Sequence, residues 1–121
     1  MANIVISANN ENDSFKFKAG TKDEYDSFVS DLASLFKNVK VKPFSQITKT
    51  GKLSKVDTLS LYRDFNVFES EVKDSIFSSY CSRTSNTGEL NMMYRSFKKI
   101  YDSWKRALYI AVTENGYIEI I

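Results

Sequence analysis

This chain of 121 residues has no histidine and one cysteine, so any chemistry it performs must come from lysines, serines and carboxylates. Imidazole and thiolate are the usual proton shuttles, nucleophiles and soft-metal ligands near neutral pH. Ser70 with Lys73, and Ser96 with Lys99, have the Ser-x-x-Lys spacing by which an amine activates a hydroxyl, and Lys49-Thr50-Gly51 has the Lys-Thr-Gly pattern that accompanies it in serine acyl-transferases. The Lys-Thr-Gly stands in the wrong order, and 16 Ser and 13 Lys make such pairs an expected accident. Thr50-Gly51-Lys52-Leu53 lacks both the earlier glycine and the hydroxyl after lysine that a phosphate-cradling loop requires.

The carboxylates have a simpler use. Asp23, Glu24 and Asp26 fall in the first turn of an expected helix and Glu69 and Glu71 in that of another, where negative charge complements the helix dipole. Cys81, two residues before Arg83, reads as a half-buried structural thiol. No catalytic residue, metal ligand or cofactor is expected, because zinc, copper and haem sites draw on His and Cys.

Charge is unevenly distributed. The net charge of +2 divides into −3 over residues 1–36, +6 over 37–56, −3 over 57–94 and +2 over 95–121. Lys40, Lys42, Lys49, Lys52 and Lys55 therefore form a candidate surface for phosphate or an acidic protein. The segment has no arginine, which disfavours bidentate base reading and leaves sequence-blind contact.

A second candidate is Tyr94 to Arg106, with four aromatic rings and five basic side chains. At about 100° per residue, Leu90, Met93, Tyr94, Phe97, Ile100, Tyr101, Trp104 and Leu108 make one apolar stripe, and the basic residues lie opposite. Stacking a nucleic acid needs rings and cations on one surface. Only the border where Tyr94 and Tyr101 adjoin Lys98 and Lys105 offers that, so the stripe is assigned to the core and the border to a possible second binding strip.

The elements that must position these residues follow from periodicity. Asn3–Ala8 and Ser14–Ala19 alternate with period two around a polar turn, and predict a hairpin. Thr21 and Glu24 form a capping box for a helix to about Lys37, with Tyr25, Phe28, Val29, Leu32 and Phe36 inward. Val39 to Lys42 predicts a strand ended by Pro43. A short helix follows over 56–66, then one capped by Asn66 with Phe68, Val72, Ile76 and Tyr80 recurring every fourth residue, then one capped by Thr87. Near Ala107 the β-branched and aromatic sequence predicts a change to a hairpin, turning at Asn115-Gly116 with Gly116 left-handed, that pairs Ile110 and Val112 with Ile120 and Ile118. The order ββαβαααββ describes one α+β domain, a mostly antiparallel sheet packed against three to four helices.

No apolar run approaches the ~18 residues of a membrane span, and the N-terminus lacks the basic start of a signal peptide. The expectation is a cytoplasmic, non-catalytic binding protein. Abundant Lys, Asn, Ile and Tyr match AT-rich codons and suggest a phage or mobile-element accessory protein that inhibits or redirects a host protein or nucleoprotein complex, an anti-defence or anti-CRISPR-like role. The alternatives are a nonspecific nucleic-acid-binding protein using 37–56, and a structural subunit forming homo-oligomers through a sheet edge.

Overall fold

Two alternating segments open the chain as strands β1 (Asn3–Asn9) and β2 (Ser14–Thr21), an antiparallel hairpin that pairs Ile6 with Phe17 and Ala8 with Phe15. The computed structural model describes residues 3–35 and 51–121. The strand expected at 39–42 lies outside them. Helix α1 (Lys22–Leu35) starts at the expected capping box: Glu24 N–H donates to Thr21 Oγ1 and Thr21 N–H to Glu24 Oε1, both at 3.2 Å. Tyr25, Phe28, Val29 and Leu32 are buried along its inner face.

A two-residue strand, β3 (Lys52–Leu53), leads into α2 (Lys55–Val67), whose N-terminus is capped by Ser54 accepting from Asp57 N–H. Helix α3 (Glu69–Arg83) buries Val72, Ile76 and Tyr80 as the fourfold spacing predicts. Two expected caps move. Asn66 lies inside the last turn of α2, donating to the Tyr62 carbonyl at 2.7 Å, and the break falls at Phe68. Asn86, whose side chain accepts from Glu89 N–H at 3.0 Å, takes the role expected of Thr87 in α4 (Thr87–Thr113).

The larger correction concerns the C-terminus. The expected hairpin does not form, and α4 runs straight through Ala107 for 27 residues. Ala107, Leu108 and Ala111 continue the stripe of Phe97, Ile100 and Trp104 at helical spacing, each at most 2 % exposed. That shared burial outweighs a β-propensity whose whole range is about 1 kcal/mol. The Asn115-Gly116 pair ends the helix instead of turning a hairpin. Asn115, not Gly116, is the left-handed residue, with φ 54°. Its N–H donates to Val112 O and the Gly116 N–H to Ala111 O, the paired bonds of a Schellman stop. Gly116 is required for another reason: a Cβ there would lie 2.0 Å from the Asn9 carbonyl oxygen.

Strand β4 (Tyr117–Ile120) then enters the sheet between β1 and β3, pairing Ile6 with Ile120, Ala8 with Ile118 and Leu53 with Ile118. The sheet order is β2-β1-β4-β3, antiparallel throughout, so β4 is interior and, among the described residues, β2 and β3 form the edges. Ile118 is buried and Ile120 half-buried, as their shared face requires, and Ile121 is exposed. Helix α4 lies across β2, β1 and β4 and against α1, α2 and α3, making it the central element of an α+β fold. Trp104, fully buried, meets Phe65 at 5.9 Å between ring centroids, and Phe97 meets Phe28 at 4.8 Å. No helix among the described residues is long and apolar enough to cross a membrane.

Candidate functional site

The residues singled out from sequence do not converge. Lys40, Lys42 and Lys49 lie outside the described residues. Lys52, exposed on β3, holds its ammonium 4.3 Å from the Tyr117 ring centroid, and Lys55 is exposed at the start of α2. Tyr101 is wholly buried, its hydroxyl donating to the Phe65 carbonyl at 2.6 Å; burial pushes its pKa up, with Glu69 and Asp102 adding to the shift. It has no ring face for a base. Tyr94 is half-buried with its ring set edge-on to Phe77 at 5.3 Å. Lys105 is held by Glu69, which also accepts from Lys73 at 3.2 Å. The border strip expected from Tyr94, Tyr101, Lys98 and Lys105 therefore reduces to Lys98.

Lys98 belongs to a different assembly. On α4, Arg95, Lys98, Lys99 and Arg106 lie within about 60° of one another's mean direction at 100° per residue. Across from this stripe runs edge strand β2, fixed there by Ser103 Oγ donating to the Lys18 carbonyl at 2.8 Å. The two elements enclose a groove of about 520 Å³, lined by those four cations with Lys16 and Lys18, by Phe17 and by Asp102. Six cations against one carboxylate leave a formal +5, compared with +2 for the whole chain. Asp102 is itself engaged by Lys73 at 3.3 Å. Among the described residues none of the six cations has an acid within ion-pair distance. Unpaired like charges converging on a concave wall raise the local potential and concentrate anions.

A second recess, of about 450 Å³, adjoins the groove and shares Phe17 and Arg106 with it. Tyr62, Tyr109, Ile110 and Asn66 line the rest, together with Lys105. Tyr109 is 57 % exposed, and its ring lies tilted against Tyr62 with centroids 6.4 Å apart. Phe15, on the same strand as Phe17, is also exposed. Rings and cations thus do share a surface, though not at the border expected from the helix alone.

On the other side of α4 a groove of about 740 Å³ against α1 is acidic, lined by Asp23, Glu24, Asp26 and Asp31 with Met92 and Met93. Two of its carboxylates have internal duties. Asp31 accepts from the buried Tyr80 hydroxyl at 2.7 Å and from Arg83 at 3.0 Å. Glu24 accepts from Thr21 N–H and from Ser96 Oγ, and these bonds, the Thr21 backbone bond foremost, lower its pKa. Neither Ser-x-x-Lys pair is arranged for acyl transfer, since Lys73 is committed to Glu69 and Asp102 and Ser96 to Glu24. Among the described residues no group of three or more His, Cys, Asp or Glu is placed to hold a metal ion.

Sequence reasoning missed Lys16, Lys18, Arg95, Lys99 and Arg106. A signal existed: 95, 98, 99 and 106 have helical spacing, and Lys16 and Lys18 alternate on one strand. What the sequence did not carry was that the two basic rows border one groove. Comparison with family models, curated proteins and solved structures finds no match to this chain.

Proposed function

We propose that this is a non-catalytic binding protein that receives the phosphate backbone of a nucleic acid in the groove between β2 and α4. The observation that carries the reading is the convergence of six cations, without ion-pair partners among the described residues, on one concavity beside accessible aromatic rings. Phosphate contacts of this kind bind without regard to sequence and release counterions. Arg95 and Arg106 add what a lysine-only surface lacks, a planar fork able to hold phosphate oxygens bidentately. The expected host target is on this reading a nucleic acid or a nucleoprotein complex, and the part of the Lys-rich segment described, Lys52 and Lys55, is not needed for the groove.

Fluorescence polarisation with a labelled oligonucleotide over a salt series tests it. Log affinity should fall with log salt, each contacted phosphate contributing a slope of about −0.7 to −0.9. The double variant Lys98→Glu, Lys99→Glu should weaken all sequences alike and flatten that slope. Unchanged binding by the folded double variant would overturn the proposal.

A further inference from the structure

We infer that the recess between α2 and α4 takes an unpaired nucleobase, so that the nucleic acid bound is single-stranded. The inference rests on the groove being a phosphate site, and it draws on a separate set of residues. The recess is predominantly apolar, its volume falls within the roughly 300–1,000 Å³ of small-ligand sites, and it meets the cationic groove at Phe17 and Arg106. A chain whose phosphates follow Arg95, Lys98 and Lys99 toward Arg106 therefore arrives at the recess with a base to place.

The chemistry of the lining suits a base better than an aliphatic side chain. Tyr109 is half open to solvent on the outer side of α4, and Tyr62 backs it. Their centroid separation of 6.4 Å and interplanar angle of 43° leave no slot between them, so a base would stack on the outward ring face. Asn66 supplies the polar edge. One of its amide N–H groups is held by the Tyr62 carbonyl at 2.7 Å, which orients the amide and leaves Oδ1 and the second N–H for a base's hydrogen-bonding edge. Arg106, in both linings, reaches the phosphate beside the base. Charge complementarity decides against an apolar peptide as occupant: the mouth carries Arg106, with Lys98, Lys99 and Arg95 beyond. In a duplex the base faces are stacked on one another and cannot enter such a recess, whereas single strands offer them to aromatic side chains.

The test compares a fluorescein-labelled 12-nucleotide single strand with its own duplex, using the full chain, Tyr109→Ala, Tyr109→Phe, and the Lys98→Glu, Lys99→Glu variant. The single strand should bind more tightly. Tyr109→Ala should lose roughly 5- to 150-fold on the single strand, the range that one stacked base accounts for, with the salt slope unchanged because no charge is removed. Tyr109→Phe keeps the ring and should bind as the parent does. A 2-aminopurine base in the strand should be quenched on binding by the parent and Tyr109→Phe, and not by Tyr109→Ala. Equal affinity for duplex and single strand, or Tyr109→Ala binding like the parent, would overturn the base site while leaving the groove reading to the charge-reversal variant. If neither nucleic acid binds, or polyglutamate competes as well as the oligonucleotide does, both fall.

Discussion

The two grooves flanking α4 differ in sign and in how much of their charge is engaged inside the chain. Against α1, Asp31 holds the Tyr80 hydroxyl and Arg83, and Glu24 closes a capping box and takes the Ser96 hydroxyl. Against β2, Lys16, Lys18, Arg95, Lys98, Lys99 and Arg106 have no carboxylate within ion-pair distance among the described residues, and Lys99 acts on Glu24 only at longer range. A charge whose counterpart lies inside the chain contributes to the fold. One whose counterpart does not is available to a second molecule. The distinction separates stability from binding residue by residue, and it can be broken by mutation.

The largest effect should come from what both grooves share. Trp104 is fully buried on the inner face of α4, and Trp104→Ala should cost about 3–5 kcal/mol, the range for deleting a large core ring. Denaturant unfolding measures this, and a loss below about 1 kcal/mol would show that the indole is not what holds α4 in place.

Next is the paired side. Asp31→Ala leaves the Tyr80 hydroxyl, buried at 3 % residue exposure, without its charged acceptor, and should destabilise by about 1.5–3 kcal/mol. Oligonucleotide affinity should not fall. Were Asp31→Ala to weaken binding in a protein that remains folded, the division between structural and ligand-facing charge would be wrong.

A smaller effect is expected at Glu69, which bridges Lys73 and Lys105. Its hydrogen bond from Lys105 is the main cause that lowers its pKa from the ordinary 4.5, against the opposing effect of burial. A lowered carboxylate pKa means that the stabilisation is fully present above about pH 4.5 and is lost as pH falls through the folded-state value. Glu69→Gln should therefore cost about 0.5–1 kcal/mol at pH 7 and flatten the acid limb of a stability–pH profile. An acid limb identical to the parent's would remove Glu69 from the account.

The smallest effect on stability should be on the unpaired side. Lys98→Glu with Lys99→Glu breaks no ion pair among the described residues and should leave unfolding free energy within about 0.5 kcal/mol, while binding falls. A large destabilisation would mean that these lysines serve the fold after all.

What local spacing determines was legible in the sequence. The hairpin of Ile6 and Ala8 against Phe15 and Phe17, the Thr21–Glu24 capping box, the Val72–Ile76–Tyr80 stripe and the burial of Phe97 and Trp104 all follow from which residues share a face over two or three turns or strand steps. The strand at Tyr117–Ile120 was legible too, but residues 107–113 were misread because Ile110, Val112 and Thr113 favour extended backbone locally, and only the packing of Ala107, Leu108 and Ala111 beneath them tips the segment into helix.

The candidate site was less legible than the fold, for the same reason at longer range. Helical spacing placed Arg95, Lys98, Lys99 and Arg106 on one side of α4, but a solvated face and a binding wall look alike until the opposite wall is known. That wall is the stretch of β2 from Lys16 to Lys18, some eighty residues earlier, tied to α4 by the Ser103 bond to the Lys18 carbonyl. Lys105 was misjudged by the converse event, its capture by Glu69 from α3. Sequence by itself determined which side chains each element turns inward, since that depends on backbone periodicity within the element. Only the tertiary structure decided which outward charges meet a partner and which remain free, since electrostatic pairing depends on distances between elements that no local pattern encodes.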